Sequence, residues 1–271
     1  MYLIKIGGSV ITDKSTEDAF KKDIMDNLSK QIKESKKETL IIHGAGSFGH
    51  ILADRYQLNL GYNKAEQLNG FSKTLEKVQT LNTYVLRSLQ KQNLPAISIP
   101  PHTVLMLDDH KLDRIDYEIF EKYLDKKFLP VTYGDVVLDE NLGFSICSGD
   151  LIMIALAKHF KPEKVIFVID EDGLYTSKTK IDKNAEFIEE TSIKELEKLS
   201  TKLDDHSDVT GGMKGKIETI KQISKEGIDT ILLNGNKPDS LYNVLIGEET
   251  KKTIIYGEIE WIKPNQEKMI T

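Results

Sequence analysis

The chain has 271 residues, of which 39% are hydrophobic and 30% are charged, and its formal net charge is −6. A chain of this length and apolar content forms a large core, which excludes a disordered protein or a small disulfide-stabilised module. The acidic balance argues against nucleic-acid and anionic-membrane binding, because both need an excess of basic residues.

A single cysteine, Cys147, excludes an intramolecular disulfide bond and a multi-cysteine metal site. The longest unbroken apolar run, at 151–157, is far too short to span a membrane. The N-terminal residues lack the apolar stretch of a signal peptide. We therefore expect a cytoplasmic protein that binds neither nucleic acid nor membranes.

Predicted strands and helices alternate along the chain. The strands lie at 2–6, 39–43, 96–99, 128–133, 165–169, 230–233 and 253–256, and most are continuous apolar runs, which are typical of strands covered on both faces. Helices are predicted from apolar stripes at Phe20, Ile24, Leu28 and Ile32, at Phe71, Leu75, Val78, Val85 and Leu89, and at Ile217, Ile220 and Ile223. This alternation predicts an α/β fold, with a mostly parallel sheet and helices on both faces.

The segment at 136–146 departs from this alternation. Two short apolar runs flank the residues Asp139 to Gly143, which predicts a β-hairpin. No linker rich in proline, glycine or serine interrupts the chain, so we expect one continuous domain over residues 1–271.

The first glycine cluster follows the first predicted strand and includes Lys5, Gly7, Gly8 and Ser9, with Lys14 a few residues later. A Gly-Gly-Ser turn can direct several backbone N–H groups at an anion, and the helix that follows adds its positive end. An edge-strand lysine beside an ordinary turn explains the same residues equally well.

The second cluster, at 43–50, lies between two histidines and contains the pattern G-x-G-x-x-G. The dinucleotide fingerprint also needs a second strand that ends in an acidic residue about twenty positions later, and none is predicted there. The loop therefore suits a small anion. His50, at the start of a helix, is a candidate ligand contact, whereas His43 ends an apolar strand and is interpreted as structural.

Two further clusters lie at 148–150 and 208–216. Ser148 or Asp150 would cap the helix predicted at 151–158. The string from Thr210 to Lys216 is not a Walker A loop, because its glycine spacing is one residue short and Ile217 replaces the Ser or Thr. It nevertheless brings two lysines to the first turn of a helix, an arrangement that a bound anion would make favourable.

The acidic segment at 169–175 ends a predicted strand. It is either a plain acidic turn or a contact for a nucleotide or Mg²⁺. Taken together, the clusters combine lysines and backbone donors without an evident general base. This combination suits phosphoryl transfer to an acceptor that is already ionised, such as a phosphate monoester with a second pKa of about 6.

Six segments carry a resemblance to a known family. They lie at 5–14, 43–50, 133–138, 148–150, 170–175 and 208–216, and read KIGGSVITDK, HGAGSFGH, YGDVVL, SGD, DEDGLY and DVTGGMKGK. The first is similar to the amino-acid kinase superfamily as a whole. The second is more particular and resembles the isopentenyl phosphate kinases, with the fosfomycin kinases as near neighbours.

This resemblance implies an amino-acid kinase fold, a three-layer αβα sandwich with a mainly parallel open sheet. It places the acceptor in about residues 1–160 and ATP in about 161–271. The implied reaction converts ATP and isopentenyl phosphate into ADP and isopentenyl diphosphate, a step of isoprenoid precursor synthesis, with Mg²⁺. A homodimer is also implied.

Site residues follow from the resemblance, and none is assigned as a metal ligand. Lys5 and Lys14 would stabilise the transferring phosphoryl group, and Asp150 would orient these lysines. The acceptor phosphate would contact Ala45, Gly49, His50 and Gly149. The alkenyl chain would contact Phe71, Thr74, Val137 and Ile146. ATP would contact Lys5, Gly7, Gly8, Ser9, Gly46, Asp170, Gly173, Tyr175, Gly212 and Lys216.

One residue departs from the family pattern, because Glu171 stands where the family often has valine. Three other functions remain open. They are a kinase of the same fold for a phosphonate or carboxylate, a non-catalytic nucleotide-binding protein, and a dinucleotide oxidoreductase.

Overall fold

The computed structural model describes residues 1–13, 16, 18–176, 185–196 and 212–258. Its strands are β1 (Tyr2–Ile6), β2 (Thr39–His43), β3 (Ala96–Ser98), β4 (Leu105–Asp108), β5 (Lys111–Ile115), β6 (Leu129–Tyr133), β7 (Asp135–Asp139), β8 (Gly143–Cys147), β9 (Lys164–Ile169), β10 (Leu174–Tyr175), β11 (Phe187–Ile188), β12 (Glu190–Ser192), β13 (Thr230–Asn234) and β14 (Lys252–Tyr256).

The helices in the described residues are α1 (Gly8–Ile11), α2 (Lys22–Ser35), α3 (Gly46–Arg55), α4 (Glu66–Lys91), α5 (Pro101–Val104), α6 (Tyr117–Asp125), α7 (Gly149–Phe160), α8 (Gly212–Ser224) and α9 (Ser240–Ile246), with a 3₁₀ turn at Leu58–Leu60. None of these helices has the length and hydropathy that a bilayer crossing requires.

An eight-stranded sheet organises the chain in the order β12-β14-β13-β9-β1-β2-β6-β3. The six strands from β13 to β3 are mutually parallel, and β14 runs antiparallel to β13. All seven predicted strands lie in this sheet, with bounds that agree to within one residue. The prediction missed β12, whose Glu-Thr-Ser sequence has no apolar run.

Two hydrophobic clusters lie on opposite faces of the sheet, because neighbouring residues of a strand point to opposite sides. Leu3 of β1 packs into the cluster that receives α6, α7 and α8, whereas Ile4 packs into the one that receives α2, α4 and α9. Three layers result, so the predicted αβα sandwich is confirmed. The isoleucine stripe of α8 packs into the first cluster, as predicted.

The predicted stripe of α4 divides between two clusters. Val85 and Leu89 pack into the cluster that also receives α2 and α9. Phe71 and Leu75 instead contact a third, smaller cluster made by Ala53, Leu58, Val136 and Phe144. The 26-residue helix extends beyond the sheet, so its N-terminal half covers a different element. That element is a four-stranded sheet ordered β5-β4-β7-β8.

The predicted hairpin at 136–146 is confirmed as β7 and β8. Its turn is organised by Asp139, whose carboxylate accepts hydrogen bonds from the backbone N–H groups of Asp109, His110, Asn141 and Leu142 and from the Ser145 hydroxyl. The hairpin of β4 and β5 was not predicted, because most residues of β5 are exposed and show no apolar pattern.

Candidate functional site

The glycine-rich loops meet at the carboxyl edge of the parallel strands. The Gly44 N–H donates to the Ile6 carbonyl at 3.0 Å, and the Gly134 N–H donates to the His43 carbonyl at 3.0 Å. These bonds join the ends of β1, β2 and β6, which are neighbours in the sheet. Loops far apart in sequence therefore form one surface, at the edge where open α/β sheets bind their ligands.

Contact between the loops after β1 and β2 requires glycine. A Cβ atom on Gly8 would lie 2.6 Å from the nitrogen of Gly46, and one on Gly44 would lie 2.6 Å from the nitrogen of Gly8. Gly46 also has φ +53°, in the left-handed region that side chains disfavour. The two predicted anion-binding loops thus touch backbone to backbone.

Lys5 and Asp150 form an ion pair inside this edge. Lys5 lies on β1, between β2 and β9, so the edge-strand interpretation of this lysine is wrong. Its Nζ lies 2.9 Å from the Asp150 carboxylate, and its side chain is 9% exposed. The hydroxyl of Ser148 accepts the Leu151 N–H at 3.1 Å and caps α7, which leaves Asp150 available for Lys5.

Lys216, on the second turn of α8, lies near the same aromatic ring as Lys5. The Nζ atoms of Lys5 and Lys216 lie 5.7 Å and 5.3 Å from the centroid of the Phe167 ring. Burial alone would raise the pKa of the Asp150 carboxyl, but the charges of the two lysines hold this pKa below its usual value. Two ammonium groups therefore lie close to one ring at this edge of the sheet, where they can attract an anion.

The two histidines of the second loop differ in environment. His43 is buried, with Nδ1 3.0 Å from the Gly44 carbonyl oxygen and Nε2 3.2 Å from the Asn82 Oδ1 atom. Burial lowers the pKa of His43 to about 4, so the ring is neutral near pH 7. His50 lies on the second turn of α3 with an exposed side chain, and its contact to a ligand stays a prediction.

The small apolar cluster of Ala53, Leu58, Val136 and Phe144 lies next to the second glycine loop. Helix α3 carries Gly46 and His50 near its start and Ala53 further along, so the cluster adjoins the loop. The half-buried ring of Phe71 lies 5.2 Å from that of Phe144. Thr74, one turn further along α4, is buried and its hydroxyl donates to the Gly70 carbonyl.

Of the predicted alkenyl contacts, Phe71 and Ile146 pack on this small cluster, but Val137 does not. Val137 packs with Cys147 in the cluster that receives α6, α7 and α8, and its neighbour Val136 contacts the small cluster instead. Alternation along β7 explains this difference between the two valines, since adjacent residues point to opposite faces.

The residues of the acidic turn after β9 lie in different environments. Asp172 is structural, because its carboxylate accepts from the Asn234 amide at 2.8 Å and pairs with Lys251 at 2.9 Å. Asp170, at the end of the strand, is exposed. Gly173 has φ +155° and lies against Thr253, where a Cβ atom would approach the hydroxyl to 2.3 Å.

Three further predicted residues lie at or near this edge, and a fourth is outside the described residues. Gly149 is buried beside Lys5, and a Cβ atom there would lie 3.1 Å from the lysine Cε. Gly212 is the first residue of α8, and Tyr175 is half-buried at the end of β10. Lys14 lies outside the described residues.

Sequence reasoning missed two side chains that shape the first loop. Lys21 donates from Nζ to the Ser9 carbonyl at 3.0 Å, and Thr12 bonds to both Gly8 and Ser47. The motif at 5–14 contains Thr12, but nothing in its spacing indicates a partner 35 residues away.

Comparisons with known proteins agree with this geometry. Residues 1–234 match the model of the amino acid kinase family. The isopentenyl phosphate kinase of Methanothermobacter thermautotrophicus is 34% identical over 267 residues, covering 95% of this chain and all of that protein. The enzyme of the same name from Methanocaldococcus jannaschii is 31% identical over 271 residues, covering 94% of this chain and 99% of that protein. A crystal structure of an isopentenyl phosphate kinase superposes with a TM-score of 0.83 at 31% identity, covering 94% and 99% of the two chains.

Proposed function

The chain belongs to the amino acid kinase family, and we propose that it transfers the γ-phosphoryl group of ATP to isopentenyl phosphate. The observation that carries the proposal is the convergence of Lys5 and Lys216 on the sheet edge where the glycine loops touch. Relatives with the isopentenyl phosphate kinase name match nearly the whole chain, which supports the choice of acceptor.

The reaction needs positioning and charge neutralisation more than proton transfer. A phosphate monoester has a second pKa of about 6, so one of its oxygens can attack the γ-phosphorus at neutral pH without a base. That oxygen forms a bond to the γ-phosphorus while the bond to the β–γ bridging oxygen breaks, and ADP leaves. Lys5 would stabilise the charge on the transferring group, and Asp150 would hold this lysine in place.

We assign the two substrates to opposite sides of the Lys5 and Lys216 ammonium groups. The acceptor phosphate would contact the backbone at Ala45, Gly49 and Gly149 and the ring of His50, all within the N-terminal part at about 1–160. ATP would lie toward the C-terminal part at about 161–271. Its contacts would be Lys5, Gly7, Gly8, Ser9, Gly46, Asp170, Gly173, Tyr175, Gly212 and Lys216.

Mg²⁺ accompanies ATP in the proposed reaction. In the part of the chain that the structure describes, no three His, Cys, Asp or Glu side chains form a metal-binding group. Mg²⁺ needs few protein ligands, because it keeps several waters and binds one or two carboxylates together with substrate phosphates. The exposed carboxylate of Asp170 is the protein group that would contact the ion. When bound, the ion would neutralise charge on the β- and γ-phosphates.

The small cluster around Phe71 and Phe144 favours an alkenyl acceptor over an amino-acid carboxylate. Its members are apolar and adjoin the loop that would hold the phosphate. An apolar chain next to a phosphate is what such a surface accommodates, whereas an amino-acid carboxylate would need polar partners there.

Measurement of ADP release with three acceptors tests the proposal. The acceptors are isopentenyl phosphate, the phosphonate fosfomycin and glutamate, each at saturating ATP. We expect kcat/KM for isopentenyl phosphate to exceed the other two values by at least about 100-fold. The variant Lys5→Met serves as the control for contaminating activity. A preference for another acceptor would overturn the assignment, and ATP binding without acceptor-dependent ADP release would indicate a non-catalytic protein.

A further inference from the structure

Thr12 joins the two loops that carry the glycine contacts. It follows α1 directly and is fully buried. Its hydroxyl donates to the Gly8 carbonyl at 2.8 Å and accepts the Ser47 N–H at 3.1 Å. The Thr12 hydroxyl group thus donates a hydrogen bond to the loop after β1 and accepts one from the first turn of α3, which follows β2.

The Thr12 side chain also packs against the second loop. A Cβ atom on Gly46 would lie 2.3 Å from the Thr12 Oγ1 atom and 2.7 Å from its methyl carbon. Thr12 therefore rests directly on the Gly46 backbone. A β-bridge to Phe20 and a backbone bond from the Thr12 N–H to the Gly8 carbonyl at 2.8 Å hold Thr12 itself in place.

Under the proposed function, these two loops carry the reacting groups. Gly8 would hold phosphates of ATP, while α3 would present His50 to the acceptor phosphate. A fixed loop spacing then keeps the attacking oxygen within about 3–3.5 Å of the γ-phosphorus, and a displacement of about 1 Å can cost 100-fold in rate.

We propose that Thr12 is a positioning residue that sets the distance between the donor and acceptor phosphates by fastening the β1 loop to the β2 loop. The proposal rests on the proposed kinase function. The competing explanation is that Thr12 only satisfies the last carbonyl groups of α1. Loss of such a cap would lower stability and leave kcat unchanged.

The variants Thr12→Val and Thr12→Ser separate these explanations. Valine keeps the shape and removes both side-chain hydrogen bonds, whereas serine keeps the hydroxyl and removes the methyl group. Thr39→Val is the matched control, because Thr39 is buried at the start of β2 and its hydroxyl has no hydrogen-bond partner in the described residues. Thr12→Ala replaces Thr12→Val if the valine variant does not fold, as judged by circular dichroism.

The measurements are kcat with isopentenyl phosphate and the dissociation constants of ATP and isopentenyl phosphate by calorimetry. We expect Thr12→Val to lower kcat about 10- to 100-fold with each dissociation constant changed less than about threefold. Thr12→Ser and Thr39→Val should keep most of the wild-type kcat. A kcat within twofold of wild type for Thr12→Val would overturn the positioning role, as would a loss confined to ATP affinity. Absence of activity in the wild-type protein would instead overturn the proposed function, and the positioning role with it.

Discussion

The Lys5 ammonium lies 2.9 Å from the Asp150 carboxylate, and this pair joins a central strand to the first turn of α7. We predict that Asp150→Asn lowers kcat about 10- to 100-fold, because the amide keeps the size of the carboxylate but no longer fixes the lysine by charge. Steady-state kinetics with both substrates varied measure this loss, and KM for ATP should change less than kcat.

Ser148→Ala is the control for the Asp150 prediction. Ser148 caps the same helix, so its removal should cost about 1 kcal/mol of unfolding free energy and leave kcat near the wild-type value. If the two variants lost kcat equally, the effect would belong to the helix start and not to the ion pair.

Lys14 should act on charge that develops during transfer. We therefore expect Lys14→Ala to depress kcat more than it raises the KM of either substrate. Lys14→Arg should restore only part of the activity, since a planar guanidinium replaces a compact ammonium. A change confined to KM would show that Lys14 only binds substrate.

His50 should recognise the acceptor phosphate without acting as a base. A hydrogen bond to a charged group contributes about 1.5–3 kcal/mol, so His50→Ala should lower kcat/KM for isopentenyl phosphate roughly 10- to 150-fold. His50→Gln should retain more activity than His50→Ala, because an amide can also donate to a phosphate. Equal, near-total inactivity of both variants with intact acceptor binding by calorimetry would assign chemistry to His50.

Phe71 should limit the length of the alkenyl chain. Its half-buried ring packs on the small cluster beside Phe144, so Phe71→Ala should improve the use of longer prenyl phosphates relative to isopentenyl phosphate. The control is Leu89→Ala on the same helix, which should cost about 2–5 kcal/mol of stability without changing that ratio. A stability loss of about 3–5 kcal/mol in Phe71→Ala with an unchanged substrate ratio would make Phe71 a core residue.

Asp139 should make the stability of the hairpin sensitive to acid. Burial acts to raise its pKa, but the hydrogen bonds from His110, Leu142, Ser145 and Asp109 lower it to about 2. In the unfolded chain the Asp139 carboxyl has a pKa of about 3.9. The ionised carboxylate therefore stabilises the fold fully above that pH, and this stabilisation is lost as the pH falls through about 2. Its full size is about 2 kcal/mol.

Urea unfolding of wild type and Asp139→Asn between pH 2.5 and 6 tests this linkage. The variant should be less stable at pH 6, and the difference between the two proteins should shrink as the pH falls. A difference independent of pH would mean that Asp139 contributes through packing alone.

The strands of the main sheet could be predicted from sequence because their signal is local. Continuous apolar runs bounded by glycine identify a strand covered on both faces, whatever its neighbours are. The glycine loops could be located for the same reason, since they follow those strands directly. The family motifs then predicted which loops would bind phosphate and which lysines would face it.

The assignments that depend on orientation needed the tertiary structure. Val136 and Val137 are identical side chains on one strand, and only the packing of β7 decides which of them meets Phe71. Ser148 and Asp150 are both capable of capping α7, and the position of Lys5 on the neighbouring strand leaves Asp150 for the ion pair.

The sequence by itself therefore determined the strands of the main sheet other than β12, the positions of the glycine loops and the family. The tertiary structure decided which side chains act together. Thr12 and Ser47 are 35 residues apart and meet only because β1 and β2 are adjacent in the sheet. Strand order depends on the packing of the whole chain, whereas periodicity and glycine placement act within a few residues of each position.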